Sequence, residues 1–115
     1  MRCPTRPREV STLSFADLRI ANVARCESAW HPVAEWRPTD WACALAGEAG
    51  ELCNWIKKEL RDGVSRKDEI AKELADVVTY ADLLAARYGI DLGAAVRDKF
   101  NEVSQRVLSP IRLEG

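Results

Sequence analysis

The 115-residue sequence predicts an all-α fold, a bundle of four to five helices. Four segments repeat apolar residues at the 3.6-residue period of a helix. Cap and stop residues separate them: Ser14 and Asp17, Thr39 and Asp40, Asp62-Gly63, Ser65, Gly89 and Asp91. No alternating run flanks a turn dipeptide as in a β-hairpin, and no segment repeats at a fixed period.

Residues 1–11 carry Pro4 and Pro7 without periodicity and are expected to form a flexible arm. A helical domain over residues 12–109 follows, with a C-terminal tail over 110–115. The first helix is predicted from about residue 13 to 30, started by Ser14 and Asp17. His31-Pro32 to Arg37-Pro38 reads as a connection, because two prolines punctuate it. Thr39 or Asp40 then caps a second helix to about residue 61, striped by Trp41, Leu45, Leu52, Trp55 and Ile56 and stopped by Asp62-Gly63. Ser65-x-x-Asp68 opens a third, to about residue 87, with Ile70, Leu74, Val77, Ala81, Leu84 and Tyr88 as its core line. Gly89 stops it, and Asp91 caps a fourth to about residue 107, lined by Leu92, Val96, Val103 and Val107 and interrupted by Lys99. Tyr80 and Leu83 lie off the third helix's line, so that helix carries more apolar surface than one neighbour covers. A homodimer or homotetramer would bury the excess.

Composition excludes several classes. Hydrophobic residues make up 47% and charged residues 30%, the balance of a soluble globular domain. A net charge of −1 leaves no electrostatic footprint for a nucleic-acid polymer, although a small anionic substrate stays open if a metal supplies positive charge. No apolar run approaches the roughly 20 residues that span a bilayer, and residues 1–10 lack the apolar centre of a secretory signal, so no membrane partner and a cytoplasmic location are expected. Cys3, Cys26, Cys43 and Cys53 form no C-x-x-C pair, and His31 is not at zinc-ligand spacing from any of them. Cys43 and Cys53 sit among apolar helical residues and are expected to be buried free thiols.

Two acidic pairs carry the chemistry. Glu48 and Glu51, then Glu73 and Asp76, are each spaced i,i+3, which stacks both carboxylates on one helical face. Glu48 occupies the gap in the second helix's stripe between Leu45 and Leu52, where an amphipathic helix would carry an apolar residue. A carboxylate facing inward costs several kcal/mol unless it is paired or binds a metal. Gly47 and Gly50 flank it, and small residues there permit close approach of a helix or ligand. Glu73, Asp76 and Tyr80 share the flank of the third helix's core line. Packed side by side, the two helices would gather four carboxylates, a hard oxygen donor set suited to Mg²⁺ or Mn²⁺ and so to a phosphate-bearing substrate.

Leu45-Ala46-Gly47-Glu48-Ala49-Gly50-Glu51-Leu52 and Glu73-Leu74-Ala75-Asp76-Val77-Val78-x-Tyr80 together resemble the MazG-like all-α nucleoside triphosphate pyrophosphohydrolases, whose signature is E-x-x-E, a spacer, then E-x-x-D. The likeness extends over about residues 36–106, and the 99–106 segment looks like the short single-domain members often found in phages. The resemblance implies a helical bundle assembled as a dimer or dimer of dimers. It implies Mg²⁺-dependent cleavage of an NTP or dNTP between the α and β phosphates, in the cytoplasm, or the host cytoplasm for a phage-encoded member. By motif match Glu48, Glu51, Glu73 and Asp76 would be the catalytic metal ligands, Tyr80 would lie near the nucleotide, and Lys99 and Arg106 would contact phosphate. Trp36-Arg37-Pro38 stands where many relatives carry His-x-Pro, which makes Trp36 a candidate base contact and puts the base pocket in question. Lys58 falls near a position that is Trp in dCTP-preferring relatives. Val103 replaces an Asn or Arg, and Asn101 is the nearby side chain that could compensate.

On this reading any of the glutamates could take a proton from water, and Trp30, Trp36 or Trp41 could stack on a base. Plainer readings stand beside these. Acidic i,i+3 pairs are common on solvated faces, Glu69 reads as a surface charge, and Lys57, Lys58 and Arg61 suit a helix C-terminus. Trp55 reads as core, His31 as a loop residue, and Lys99 could simply snorkel. The alternative function is a non-catalytic, metal-binding oligomerisation or regulatory module of the same fold.

Overall fold

The structure, a computed structural model, describes residues 10–115. The proposed arm and Cys3 therefore lie almost wholly or wholly outside the described residues. Helix α1 spans Phe15–Ala29, a 3-10 turn covers Val33–Glu35, and α2 (Pro38–Asp62), α3 (Lys67–Arg87) and α4 (Leu92–Arg106) follow, with no strand among the described residues. The fold is all-α.

The caps explain the boundaries. Ser14 and Asp17 form a reciprocal capping box, Asp17 N donating to Ser14 Oγ at 3.0 Å and Ser14 N to Asp17 Oδ2 at 3.2 Å. Asp91 caps α4 through Ala94 N at 3.0 Å. Gly63 and Gly89 adopt left-handed φ of 66° and 68°, which glycine takes without the Cβ penalty, and end α2 and α3. Two starts differ from expectation. Pro38 opens α2, since a helix's first N–H needs no partner, and Asp40 sits inside the first turn, accepting from Arg37 N at 2.9 Å. Arg66, not Ser65, precedes α3, and Glu59 Oε2 accepts its backbone N–H at 2.8 Å, tying the α2–α3 turn to α2.

Helices α2 and α3 form the main packed pair, and α1 lies against another side of α3. Leu83, expected outside the core line, is therefore only 3% exposed, because α1 and the connection cover that second face. Leu74 and Tyr88, expected inside, are exposed, since no other element among the described residues buries them. The same reason leaves Cys43 and Cys53 exposed, contrary to expectation, while Cys26 is buried. The core centres on Trp41, which is fully buried and donates Nε1–H to Val33 O at 3.0 Å. Further bonds pin the connection after α1: Cys26 Sγ to His31 O at 3.0 Å, Val33 N to Glu27 Oε2 at 2.9 Å, and Arg87 Nε to Trp36 O at 2.8 Å. The C-terminal tail is tied back to α4, with Asn101 bonding the Leu113 backbone at both ends of its amide, at 2.9 and 2.8 Å.

A charged contact docks α1. Asp82 of α3 is fully buried, and its Oδ1 accepts from Arg19 Nε at 2.9 Å. Its Oδ2 accepts from Asn22 Nδ2 at 3.1 Å. A lone buried carboxylate is far costlier than a paired one. Arg19→Ala should destabilise the fold by about 3–5 kcal/mol in urea unfolding, since it strands that charge. The Arg19→Met/Asp82→Leu double variant should recover most of the loss.

Candidate metal centre and adjoining cleft

Side-by-side packing of α2 and α3 brings Glu48 from one helix against Glu73 and Asp76 from the other. One carboxylate oxygen from each lies within 4.8 Å of the others. Glu48 and Glu73 are half-buried and Asp76 is exposed, so the cluster opens outward on one side. Glu73 Oε2 is buried with no hydrogen-bond partner, an orphaned acceptor aimed into a group of acids. The Glu48 carboxyl is pushed up from the ordinary glutamate value, first by burial, then by the Asp76 charge, a hydrogen bond with Glu73, and the charges of Glu73 and Glu51. Crowded hard oxygens with an unsatisfied lone pair fit a small divalent cation.

Glu51 stands outside the tight trio. It is exposed one turn along α2, near enough for its charge to act on Glu48. A Cβ at Gly47 or Gly50 would meet nothing within 4 Å, so no helix of this protomer uses the room those glycines leave.

Beside the acids lies a cleft of about 330 Å³ between α1 and α3. Asn22 and Arg25 wall it from α1, Trp30 from the residue just past that helix, and Asp76, Thr79 and Tyr80 from α3. Asp76 belongs to both the cluster and the cleft, so the two form one continuous site. Burial, then the charges of Glu48 and Asp76, raise the Tyr80 phenol, which keeps it a neutral donor at the junction. The Trp30 ring meets Tyr80 edge-on at 6.2 Å and keeps half its surface free.

Of the three tryptophans considered for stacking, Trp30 alone walls the cleft. Trp41 is fully buried and is excluded. Trp36 packs at 4.6 Å from both the His31 and Trp41 rings and does not line the cleft. Lys99 and Arg106 both pair with Glu102, at 3.3 and 3.4 Å, on a helix that packs against α1. Neither lines the cleft, and Asn101 is occupied by the tail. Asn22, Arg25 and Thr79 were not anticipated. A polar Asn within the first helix was their one local signal.

The raised Glu48 carboxyl gives a signed prediction. The metal-free folded state binds this proton more tightly than the unfolded chain does. Its stabilising contribution is complete below the ordinary glutamate value and is lost as pH rises through the raised one. Metal-free Glu48→Gln should therefore melt at or above the wild-type temperature near neutral pH. Saturating Mg²⁺ should stabilise the wild type, by about 2.7 kcal/mol at a hundred times Kd, but not the variant. Thermal melts in chelator and in Mg²⁺ read both signs.

Residues 38–108 match the family model described as the MazG nucleotide pyrophosphohydrolase domain. The gene 37 protein of Mycobacterium phage L5 is 37% identical over 67 residues, covering 54% of this chain and 59% of that protein. The chain thus spans less than two-thirds of that relative's length. With the matched segment carrying both acidic helices and the whole of α4, the chain belongs to the MazG nucleotide pyrophosphohydrolase family.

Proposed function

We propose that this protein is a Mg²⁺-dependent nucleoside triphosphate pyrophosphohydrolase. It cleaves a (d)NTP between the α and β phosphates to (d)NMP and pyrophosphate, and so controls or sanitises the nucleotide pool. The observation that carries the reading is the convergence of Glu48, Glu73 and Asp76 within 4.8 Å, with one Glu73 oxygen left unpartnered, at the mouth of a cleft of nucleoside size.

Glu48, Glu73 and Asp76 would hold the ion, with Mn²⁺ as a substitute. Bound there, the cation supplies charge neutralisation at the phosphates and a water acidified toward neutrality. Glu51 either completes the ligand shell or accepts that water's proton. The two roles separate in Glu51→Gln, because losing a ligand weakens Mg²⁺ binding whereas losing a base leaves it intact. Tyr80 donates its hydroxyl at the cluster–cleft junction, and Trp30 offers the face for a base. Arg25, with no hydrogen-bond or ion-pair partner among the described residues, supplies the local positive charge. For Lys99 or Arg106 to touch phosphate, the Glu102 pairs must open and a second subunit must carry α4 over the site.

We also propose a homodimer or homotetramer, with residues 12–109 as the functional unit, working in the cytoplasm. The radius of gyration is 17.4 Å, against about 13 Å for a compact chain of this length. Ile56 and Leu60 on α2 and Leu74 and Val78 on α3 are exposed, Leu60 by 87%. No helix among the described residues is long and apolar enough to cross a membrane.

Pyrophosphate release from a panel of NTPs and dNTPs with Mg²⁺ tests the activity. Glu48→Gln, Glu73→Gln and Asp76→Asn should each lower kcat/KM at least about a hundredfold. Turnover of no panel member, with Mg²⁺ still bound, would instead favour a metal-binding regulatory module. Light scattering should give a multiple of the 12.9 kDa chain, and Ile56→Glu/Leu60→Glu should shift it toward the monomer.

A further inference from the structure

The cleft holds a side chain whose hydrogen-bonding role is already decided. Asn22 is only 4% exposed. Its Nδ2 donates to Thr79 O at 3.0 Å and to Asp82 Oδ2 at 3.1 Å. Both partners are acceptors. The first is a backbone carbonyl, and the second belongs to a carboxylate whose other oxygen accepts from Arg19 Nε at 2.9 Å. Turning the amide over would set Oδ1 against two acceptors at once, so the nitrogen must face α3. That leaves Oδ1 as a fixed acceptor with no protein donor among the described residues. It is not among the sealed, unsatisfied atoms, and Asn22 lines both this cleft and the neighbouring hollow beside Leu18 and Ala21, so the oxygen is open to a partner from outside the protein.

We propose that Asn22 is a base-reading residue: its Oδ1 accepts a hydrogen bond from the N–H edge of the nucleobase in the cleft. Asp82 is the positioning residue that keeps the oxygen turned that way. The proposal rests on the hydrolase reading only in taking the occupant for a nucleotide. Three features of the cleft favour a base over another group. Trp30 and Tyr80 supply aromatic surface, which suits a flat ring. Asp76 joins this wall to the metal centre, so phosphates at the acids put the rest of the molecule here. Arg25 is one turn from Asn22 on the same helix and walls the same cleft, which puts donors on the wall that carries the Asn22 acceptor. An acceptor beside a donor complements the alternating edge of a nucleobase, where a ring N–H or exocyclic amine adjoins a carbonyl or ring nitrogen. A phosphate or carboxylate, which offers acceptors only, would meet Asn22 Oδ1 unfavourably.

The test compares wild type, Asn22→Leu and Asp82→Asn on the four common dNTPs and on an abasic deoxyribose triphosphate, which keeps the phosphates and sugar but has no base edge. Asn22→Leu should raise KM and lower kcat/KM for the preferred dNTP about tenfold or more, one neutral hydrogen bond's worth. It should leave the abasic rate unchanged. Asp82→Asn keeps every atom of Asn22 but gives position 82 an amide that can donate, so the Asn22 amide is free to turn. Preference among the bases should flatten, again with the abasic rate preserved. Calorimetry of nucleoside monophosphate binding in chelator gives a readout without turnover, and Asn22→Leu should weaken it by the same factor. A parallel loss of abasic and natural substrates, or no change in either, would overturn the assignment. If the wild type hydrolyses nothing, the hydrolase reading fails, and the calorimetric comparison alone decides the role of Asn22.

Discussion

Like-charge crowding at the α2–α3 interface is the constraint around which this fold is arranged. Two unit charges at the 4.8 Å limit of the cluster repel by roughly 3–4 kcal/mol at an effective dielectric constant of about 20, less where water screens the exposed Asp76. A packed helical pair would shed such a load by substitution unless something offset it. Here the load is kept, on two helices from different parts of the sequence, with one buried Glu73 oxygen left without a hydrogen-bond partner. On the proposed reading, a divalent cation would convert each repulsion into shared coordination, and the interface would be suited to that ligated state.

That packing is thin. The buried apolar set is Cys26, Val33, Trp41, Leu83 and Ala85, gathered where α1, the 3-10 turn, α2 and α3 meet. Helix α1 has little apolar face to offer and is held largely by Arg19 and Asn22 on Asp82, while α4 packs against α1 and is bonded to its own tail. With so small a core and so many exposed aliphatic side chains, the proposed assembly would supply most of the chain's remaining burial. The cleft shares this economy. One of its walls is the helix docked by polar contacts, so the geometry of the cleft and the docking of α1 are the same problem.

The parts of the structure legible in the sequence were those with local cues. Ser14, Gly63, Gly89 and Asp91 mark helix ends by backbone chemistry within a few residues. Glu48 betrayed its setting by occupying a gap in an apolar stripe, and Glu73 with Asp76 by spacing. The rest depends on which face of a helix finds a partner, and no local pattern contains that. Leu83 is buried because α1 and the connection cover its side of α3, whereas Leu74 lies on a part of α3 that neither α1 nor α2 buries. Cys43 and Cys53 are apolar neighbours of core residues on a helix with an open face. Trp36 and Trp41 looked equivalent to Trp30 in sequence, yet packing against Val33 and His31 removed them from the cleft. Asp82 carried the same cue as Glu48, a charge within the apolar run Tyr80-Ala81-Asp82-Leu83-Leu84. Its partners lie 60 and 63 residues away, and only the fold names them.

Glu48 and Asp82 show two different uses of a buried carboxylate. Among the described residues the acids of the cluster have no cationic partner. Asp82 has its cation in Arg19, and both of its oxygens are engaged, so it offers nothing to a metal. A buried ion pair of this kind is often no better for stability than apolar residues of the same volume, and stability alone gives weak reason to retain it. What an apolar replacement could not do is dictate which end of the Asn22 amide faces inward. An amide with two acceptors behind it has one orientation, and an amide against aliphatic groups has two. The ion pair thus turns an ambiguous polar side chain into an acceptor of known direction, at the wall where the cleft must distinguish one occupant from another.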